Sequence, residues 1–463
     1  MNAGTSAPLR RDLLITFTLP TLILGVMHGP EGQIQAIYAK HAGLSLTALA
    51  LAMLITKMFD AITYPLIGHL SDRSYARSGT RRSWTIAGTL LSVAGTWFLL
   101  RPPEDVTVLY FGIWTAVLYL GWKTIEIPLQ AWSYGLSPDY AQRARVQAWR
   151  AMSQMAGNLL FFATPFIAMK LGYSDSTELD FRSLGVAAVI CVLALPLATT
   201  LLILRVPSGD YVPPPVQPRH GIKEIIVAVR DNPPLLRLFA AFLPVNLLAG
   251  MSGGVAYFYM DTYLGLSKEF PAIMIVSMLL TFVGIPFWTF LSARYERHRV
   301  WASGLAVGGM ACIGFALLTP GPSALMMCFL LYPLIILALV GTVIVYTMSA
   351  DIVDYGKLHT GEDHGGLYGS LFAFLQKSLQ GVSAAAGVAL VGAFGFDATA
   401  TAQTANGVLG LKLAMAIAPA AGLIGGALII WNYPLTRARV AEIQATLAER
   451  ERAALQSAAA AKA

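Results

Sequence analysis

Lys57-Met58-Phe59-Asp60-Ala61-Ile62-Thr63-Tyr64-Pro65-Leu66-Ile67-Gly68-His69-Leu70-Ser71-Asp72-Arg73 is the stretch on which the reading of this chain turns. Its first half continues an apolar run that begins near residue 44, long enough to cross a bilayer. Yet it carries an ammonium and a carboxylate, Lys57 and Asp60, on one helical face with Thr63 and Tyr64. A charge at the centre of a membrane helix costs roughly 2.5–3.5 kcal/mol on insertion scales, so it persists where it faces another charge or a wet cavity. Lys123, Glu126 and Lys377 lie inside apolar runs too. Five such groups in a greasy protein point to a polar pathway through a membrane, and hence to a transporter.

Composition agrees. Of 463 residues, 56% are hydrophobic and 12% charged, against about 25% charged in an ordinary soluble domain. Mean hydropathy is +0.62. About twelve apolar stretches, from 12–38 to 408–432, are each long enough to span. The net charge of +7 is explained by topology, without nucleic acid. With both termini inside, the outer loops hold only Lys40, Arg101, Lys170, Arg182, Lys268 and Lys412. Lys57, Lys123, Arg150 and Lys377 fall within spans, and the remaining Lys and Arg lie in inner loops and tails. This is the positive-inside pattern, and it requires an even number of spans. Arg10 and Arg11 before an apolar run superficially suggest a signal peptide, but the run reads as the first span. Cys191, Cys312 and Cys328 all sit in apolar spans, which argues against disulfides or a cysteine metal site.

The longest polar interruption runs from Arg205 to Arg237 and is rich in proline, with Pro213, Pro214, Pro215, Pro218, Pro233 and Pro234. It divides the spans six and six. The expected organisation is a bundle at 1–204, an inner linker at 205–234, a second bundle at 235–433 and an amphipathic inner tail at 434–463. Pro65…Leu70-Ser71-x-Arg73 is echoed about half a chain later by Pro286…Leu291-Ser292-x-Arg294, as expected of duplicated halves.

Three segments carry a family likeness: the opening stretch with Arg77, Gly79, Arg81 and Arg82 behind it; Thr124-Ile125-Glu126-Ile127-Pro128; and Ala350-Asp351-Ile352-Val353-Asp354-Tyr355-Gly356 running on to Phe374-Leu375-Gln376-Lys377. The chain resembles the glycoside–pentoside–hexuronide:cation symporters, the melibiose-permease-like branch of the major facilitator superfamily. The resemblance implies an all-α membrane protein of twelve transmembrane helices in two pseudo-symmetric six-helix bundles, alternating access around a midplane cavity, and a bacterial inner-membrane location. It implies that Asp60 binds the coupling cation, that Glu126 and Arg150 bind sugar, and that Trp149 stands beside them.

The chain departs from the family where a second cation-binding acid is expected and Tyr64 stands, and where a small hydroxyl is expected and Lys123 stands. Both departures weaken a sodium site, so H+ is preferred over Na+ as the coupling ion, with Asp60 its carrier, Glu126 second, and Lys377 joining the halves with Asp60 as partner. The family's sugar-binding acid of helix one falls on Leu24, with His28, Glu31 and Gln33 the nearest polar groups, so galactoside specificity does not carry over. Lys57, Lys123, Arg150 and Lys377 outnumber Asp60 and Glu126, and a cavity lined by all six would prefer anions.

The expected solute is therefore a small organic molecule, anionic or sugar-like, contacted by Lys57, Tyr64, Lys123, Glu126, Arg150 and Trp122. Trp122 and Trp132 flank the Lys123/Glu126 pair and serve either packing or ligand stacking. Asp72, Arg73, Arg81 and Arg82 on one side and Asp351 and Asp354 on the other are expected to gate the inner end. Tyr257, Tyr259, Asp261 and Tyr263 form an outer gate or an aromatic belt. His359, Glu362, Asp363 and His364 are read with Lys357, Gly365 and Gly366 as a polar loop rather than a metal site. No P-loop, Ser/His/Asp set or HExxH motif appears, so neither an enzyme nor a cofactor is expected. The expected partners are the solute, the cation and the bilayer, with the protein a monomer. The rivals are an exporter or lysolipid transporter of the same fold and, from another class, a membrane receptor or enzyme.

Overall fold

The computed structural model describes residues 9–137, 139–207, 229–361, 365–400 and 402–460. Regular structure among them is helical. Ten helical rods are long and apolar enough to cross a membrane. Two further long helices, Tyr140–Lys170 and Gly365–Ala393, occupy the places of the fifth and eleventh expected spans. The fifth carries Arg143, Arg145 and Arg150 in its first half, which lowers its apolarity.

The chain forms two compact units, one of Met1–Pro214, Gly253–Ile275 and Ala384–Leu411, the other of Pro215–Ser252, Val276–Ser383 and Lys412–Ala463. Their borders do not follow the six-and-six division expected from the linker. Among the described residues they fall inside helices, at Gly253, Ile275, Ala384 and Leu411. Most of the expected linker, 208–228, lies outside the described residues.

In the first unit α1 (Arg11–His28) runs through a 3₁₀ turn, Gly29–Gly32, into α2 (Ile34–Ala42). Then come α3 (Leu46–Ser78), α4 (Arg82–Leu100), α5 (Val108–Gly135), α6 (Tyr140–Lys170) and α7 (Phe181–Arg205). Their ends are set locally. Thr107 Oγ1 accepts from Tyr110 N at 3.2 Å to start α5, and Asp180 and Ser183 form a reciprocal capping box at the head of α7. Gly43 and Gly79 end α2 and α3 in the left-handed region, both with φ +66°.

Between apolar helices in lipid the hydrophobic effect offers no net gain, so close packing of small residues does the holding. A Cβ built on Gly157 of α6 would run into Leu22 O of α1, and one on Gly25 of α1 would run into Gln154 O of α6. Gly121 of α5 lies against Ser92 of α4 in the same way. Leu14, Phe17, Leu129, Trp132, Val146 and Leu202 join α1, α5, α6 and α7 in an apolar core cluster.

In the second unit the helix Pro233–Pro244 is capped by Asn232, whose Oδ1 accepts from Leu235 N at 3.1 Å. Gly422 of the helix Ala418–Trp431 packs on Pro244 O. The tail forms the helix Arg437–Ala460, which lies on Val343–Thr360 through Gln444 Nε2 to Asp354 Oδ2, 3.0 Å, and Arg450 to Leu358 O, 3.0 Å. Cys191, Cys312 and Cys328 are buried free thiols.

Candidate functional site

The polar heart of the first unit begins where the first span breaks. Gly29-Pro30-Glu31-Gly32 leaves the α-helical pattern because Pro30 has no N–H to donate and its glycine neighbours hold the helix weakly. Glu31 is thereby offered into the bundle. Its Oε2 lies 2.8 Å from His28 Nδ1, and its Oε1 pairs with Lys57 of α3 and accepts from Tyr119 OH of α5 at 3.2 Å. Lys57 Nζ also stands over the Tyr119 ring, 4.5 Å from its centre.

A second pair joins α3 to α5. Lys123, only 3% exposed, places Nζ 2.5 Å from Asp60 Oδ1 and also donates to the Asp60 backbone carbonyl. The Tyr64 ring lies beneath the same ammonium at 5.1 Å. A third pair joins α5 to α6. Arg150, 5% exposed, donates from Nη2 to Glu126 Oε1 at 2.5 Å, while Nη1 reaches Gln130 and, at 3.3 Å, Gln147. Glu126 Oε2, Arg150 Nε and Trp122 Nε1 are buried with no hydrogen-bond partner among the described residues.

The counter-charge expected for Asp60 is Lys377, whereas among the described residues Asp60 pairs with Lys123. Lys57 and Asp60, and Lys123 and Glu126, do share helical faces, but each finds its counter-charge on a neighbouring helix. The i, i+3 spacing puts the two groups of a pair a turn apart, whereas an adjacent helix supplies a partner at the same depth. Glu31, beyond the residues the sequence points to as contacts, carries a sequence signal of its own: an acid inside a Gly-Pro-x-Gly break of an apolar span. With Glu31 included, Lys57, Lys123 and Arg150 balance Glu31, Asp60 and Glu126. The described set is neutral, so the excess positive charge expected of the cavity is not found in it. Lys377 falls in the helix Gly365–Ala393, and its side chain lies outside the described residues, as do Glu362, Asp363 and His364.

Trp122 packs edge-on against His28, 4.6 Å between ring centres. Trp132 and Trp149 belong with the apolar core instead, Trp132 donating Nε1–H to Pro207 O at 2.7 Å. At the junction of α3 and α4 Arg81 is buried, donating to Asp72 Oδ1 at 2.8 Å and Ser71 Oγ at 3.0 Å with its guanidinium over the Tyr75 ring. Arg73 is exposed and Arg82 half-buried. Asp351 pairs with Arg297 at 2.5 Å within the second unit, and Asp354 is held by the tail through Gln444.

At the opposite end of the first unit's helices Lys40 Nζ lies 2.6 Å from Glu178 and 2.8 Å from Asp261, whose side chain is fully buried. His41 Nε2 approaches the same Glu178 oxygen at 3.3 Å. The hydrogen bond from His41, then that from Lys40, holds the Glu178 carboxyl down at about 2 against the opposing pull of burial. Tyr257 OH donates to Leu179 O at 3.0 Å beside this cluster.

Three likenesses bear on what the fold is for. A glucuronide carrier protein homolog of Escherichia coli (strain K12) is 23% identical, over 90% of each chain. A sodium-dependent lysophosphatidylcholine symporter of Xenopus tropicalis is 22% identical, over 82% of this chain and 78% of its own. The crystal structure of a D-xylose–proton symporter superposes with a TM-score of 0.61 at 13% identity, covering 91% of this chain and 97% of the other, which establishes the major facilitator fold. The model of the family described as MFS/sugar transport protein matches residues 19–437. Charged pairs set across apolar helices, in a fold whose relatives are transporters, describe a multi-pass membrane carrier and not an enzyme. The chain belongs to the MFS/sugar transport protein family.

Proposed function

We propose that this protein is a secondary active symporter that moves a small sugar or sugar-acid solute together with a proton. The observation that carries the reading is the Lys123–Asp60 pair. A buried ammonium requires an anion, and losing it is strongly unfavourable. Asp60 fills that need at rest. When the carboxylate of a solute takes Lys123, Asp60 is left as a buried carboxylate without its cation, and protonation neutralises it. One anion and one proton then enter together with no change in the charge of the site. Sodium has no comparable place, because an ammonium and a phenol ring, Lys123 and Tyr64, stand where oxygen ligands would be needed.

Glu126 and Arg150 contact solute hydroxyls, supported by the unpartnered Glu126 Oε2 and Arg150 Nε. Trp122, Lys57 and Tyr64 complete the solute wall, and Lys377 couples the halves. Asp72, Arg73, Arg81 and Arg82, with Asp351 and Asp354, gate the inner end. The carrier works as a monomer in a bacterial inner membrane with both termini cytoplasmic, its halves at 1–204 and 235–433. The Escherichia coli relative's name supports a sugar acid as solute. The amphibian relative's name supports a second reading, an amphiphile such as a lysolipid.

Solute-induced pH change in proteoliposomes, across glycosides, uronates and lysolipids, tests this. Alkalinisation outside on addition of a glycoside or uronate is expected. Accumulation driven by a sodium gradient, with no proton movement, would overturn the proton reading, and movement of lysolipid alone would favour the second.

A further inference from the structure

We infer that His28 is a second protonation site of this carrier, with Glu31 as its fixed counter-charge, and that its proton sets the charge of the solute site. The inference rests on the symport reading for its consequence but not for its geometry. His28 Nδ1 is 2.8 Å from Glu31 Oε2, and Trp122 closes one face of the imidazole. Glu31 already accepts from Lys57 and Tyr119 on its other oxygen, so three donors from three elements converge on it. The carboxylate oxygens are taken up by these donors, while the imidazole keeps a second ring nitrogen, Nε2, for an added proton. The neutral ring donates Nδ1–H to Glu31 and takes the proton at Nε2. The groups facing it are Glu31 from its own turn, Lys57 and, beyond it, Asp60 from α3, and Tyr119 and Trp122 from α5.

A small cavity adjoins the ring. A cavity of about 20 Å³, room for one water, is lined by His28, Glu31, Thr115, Tyr119 and Trp122 among others. Thr115, 1% exposed, and Trp122 are among its lining residues, and each has a buried polar atom, Oγ1 and Nε1, with no partner among the described residues.

The consequence is one of charge. With His28 neutral, Glu31, Asp60 and Glu126 balance Lys57, Lys123 and Arg150. With His28 protonated, the same set carries one net positive charge, and an anionic solute is favoured over a neutral one of the same shape. By reciprocity, a bound anion makes the imidazole easier to protonate.

The test titrates the histidines of the full chain in lipid nanodiscs by NMR of labelled imidazole nitrogens, the His28→Gln variant identifying the resonance. Expected is a His28 resonance that titrates, with a midpoint that falls by about one unit or more in Glu31→Gln and rises in Lys57→Met. A resonance that does not move between pH 5 and 9, or moves identically in all variants that fold, overturns the inference. This measurement needs no solute, so it stands or falls apart from the symport reading. Uptake then compares p-nitrophenyl glucuronide with p-nitrophenyl glucoside. The glucuronide-to-glucoside ratio in the wild type is expected to fall at least fivefold from pH 5.5 to 8 and to be flat in His28→Gln. A ratio equally pH-dependent in the variant overturns the control of selectivity by His28.

Discussion

Lys123 Nζ and Asp60 Oδ1 lie 2.5 Å apart, on α5 and α3, with the lysine almost wholly removed from solvent. Neither residue is tolerable alone at that depth, and the pair ties the chemistry of the site to the packing of two helices. Breaking such a pair from one side costs about 3–5 kcal/mol, whereas replacing both charges is often close to neutral. Lys123→Met is therefore expected to lower the thermal midpoint strongly, and the double variant Lys123→Met, Asp60→Asn to recover most of the loss. Thermal denaturation of the four members of the cycle in detergent measures this. Additive losses would remove the pair from its place in the argument.

Asp60→Asn keeps the size of the side chain and removes its titration. Accumulation of solute against a gradient is expected to vanish, while exchange of labelled for unlabelled solute across the membrane persists at a rate within about tenfold of the wild type. Retained uphill uptake would take the coupling role away from Asp60.

Arg150 presents separate N–H groups to Glu126, Gln130 and Gln147. A lysine cannot reproduce that fork, so Arg150→Lys is expected to raise the uptake KM tenfold or more, about 1.4 kcal/mol, with a smaller change in maximal rate. Initial-rate measurements over a solute series decide it. An unchanged KM would place Arg150 in structural support only.

Gly157 and Gly25 let α1 and α6 touch backbone to backbone. Gly157→Val forces these helices apart and should cost several kcal/mol, read as loss of the folded monomer peak in size-exclusion chromatography. Gly425, with nothing within 4 Å of a Cβ built there, accepts alanine as the control.

The outer cluster should carry a pH signature. The Glu178 carboxyl is held at about 2 by His41 and then Lys40, below its ordinary value. A depressed carboxylate contributes stability above its unfolded pKa, and that contribution is lost as pH falls toward 2. Glu178→Gln is expected to flatten the acid limb of the stability profile between pH 5 and 2, by on the order of 1–2 kcal/mol once solvent screening is allowed for. Lys40→Ala should be worse at neutral pH, because it strands the buried Asp261 without a cation. An acid limb identical in Glu178→Gln and wild type would exclude Glu178 from this role.

Composition and residue patterning are enough to fix the class of protein. Apolar runs of bilayer length and the crowding of Lys and Arg into alternate loops follow from the solvent the chain must live in, and both are written in composition. Patterning also marked the charged groups, because Lys57, Asp60, Lys123 and Glu126 are costly in hydrocarbon and therefore stand out. Which charge meets which was decided only by the tertiary structure. Helical spacing places residues on a face but does not say what the face meets. The break at Pro30 turned Glu31 toward Lys57, the contact of α3 with α5 gave Asp60 to Lys123, and α6 carried Arg150 to Glu126. Those choices rest on glycines and small side chains that set how closely the helices approach, a property of packing that no single stretch of sequence displays.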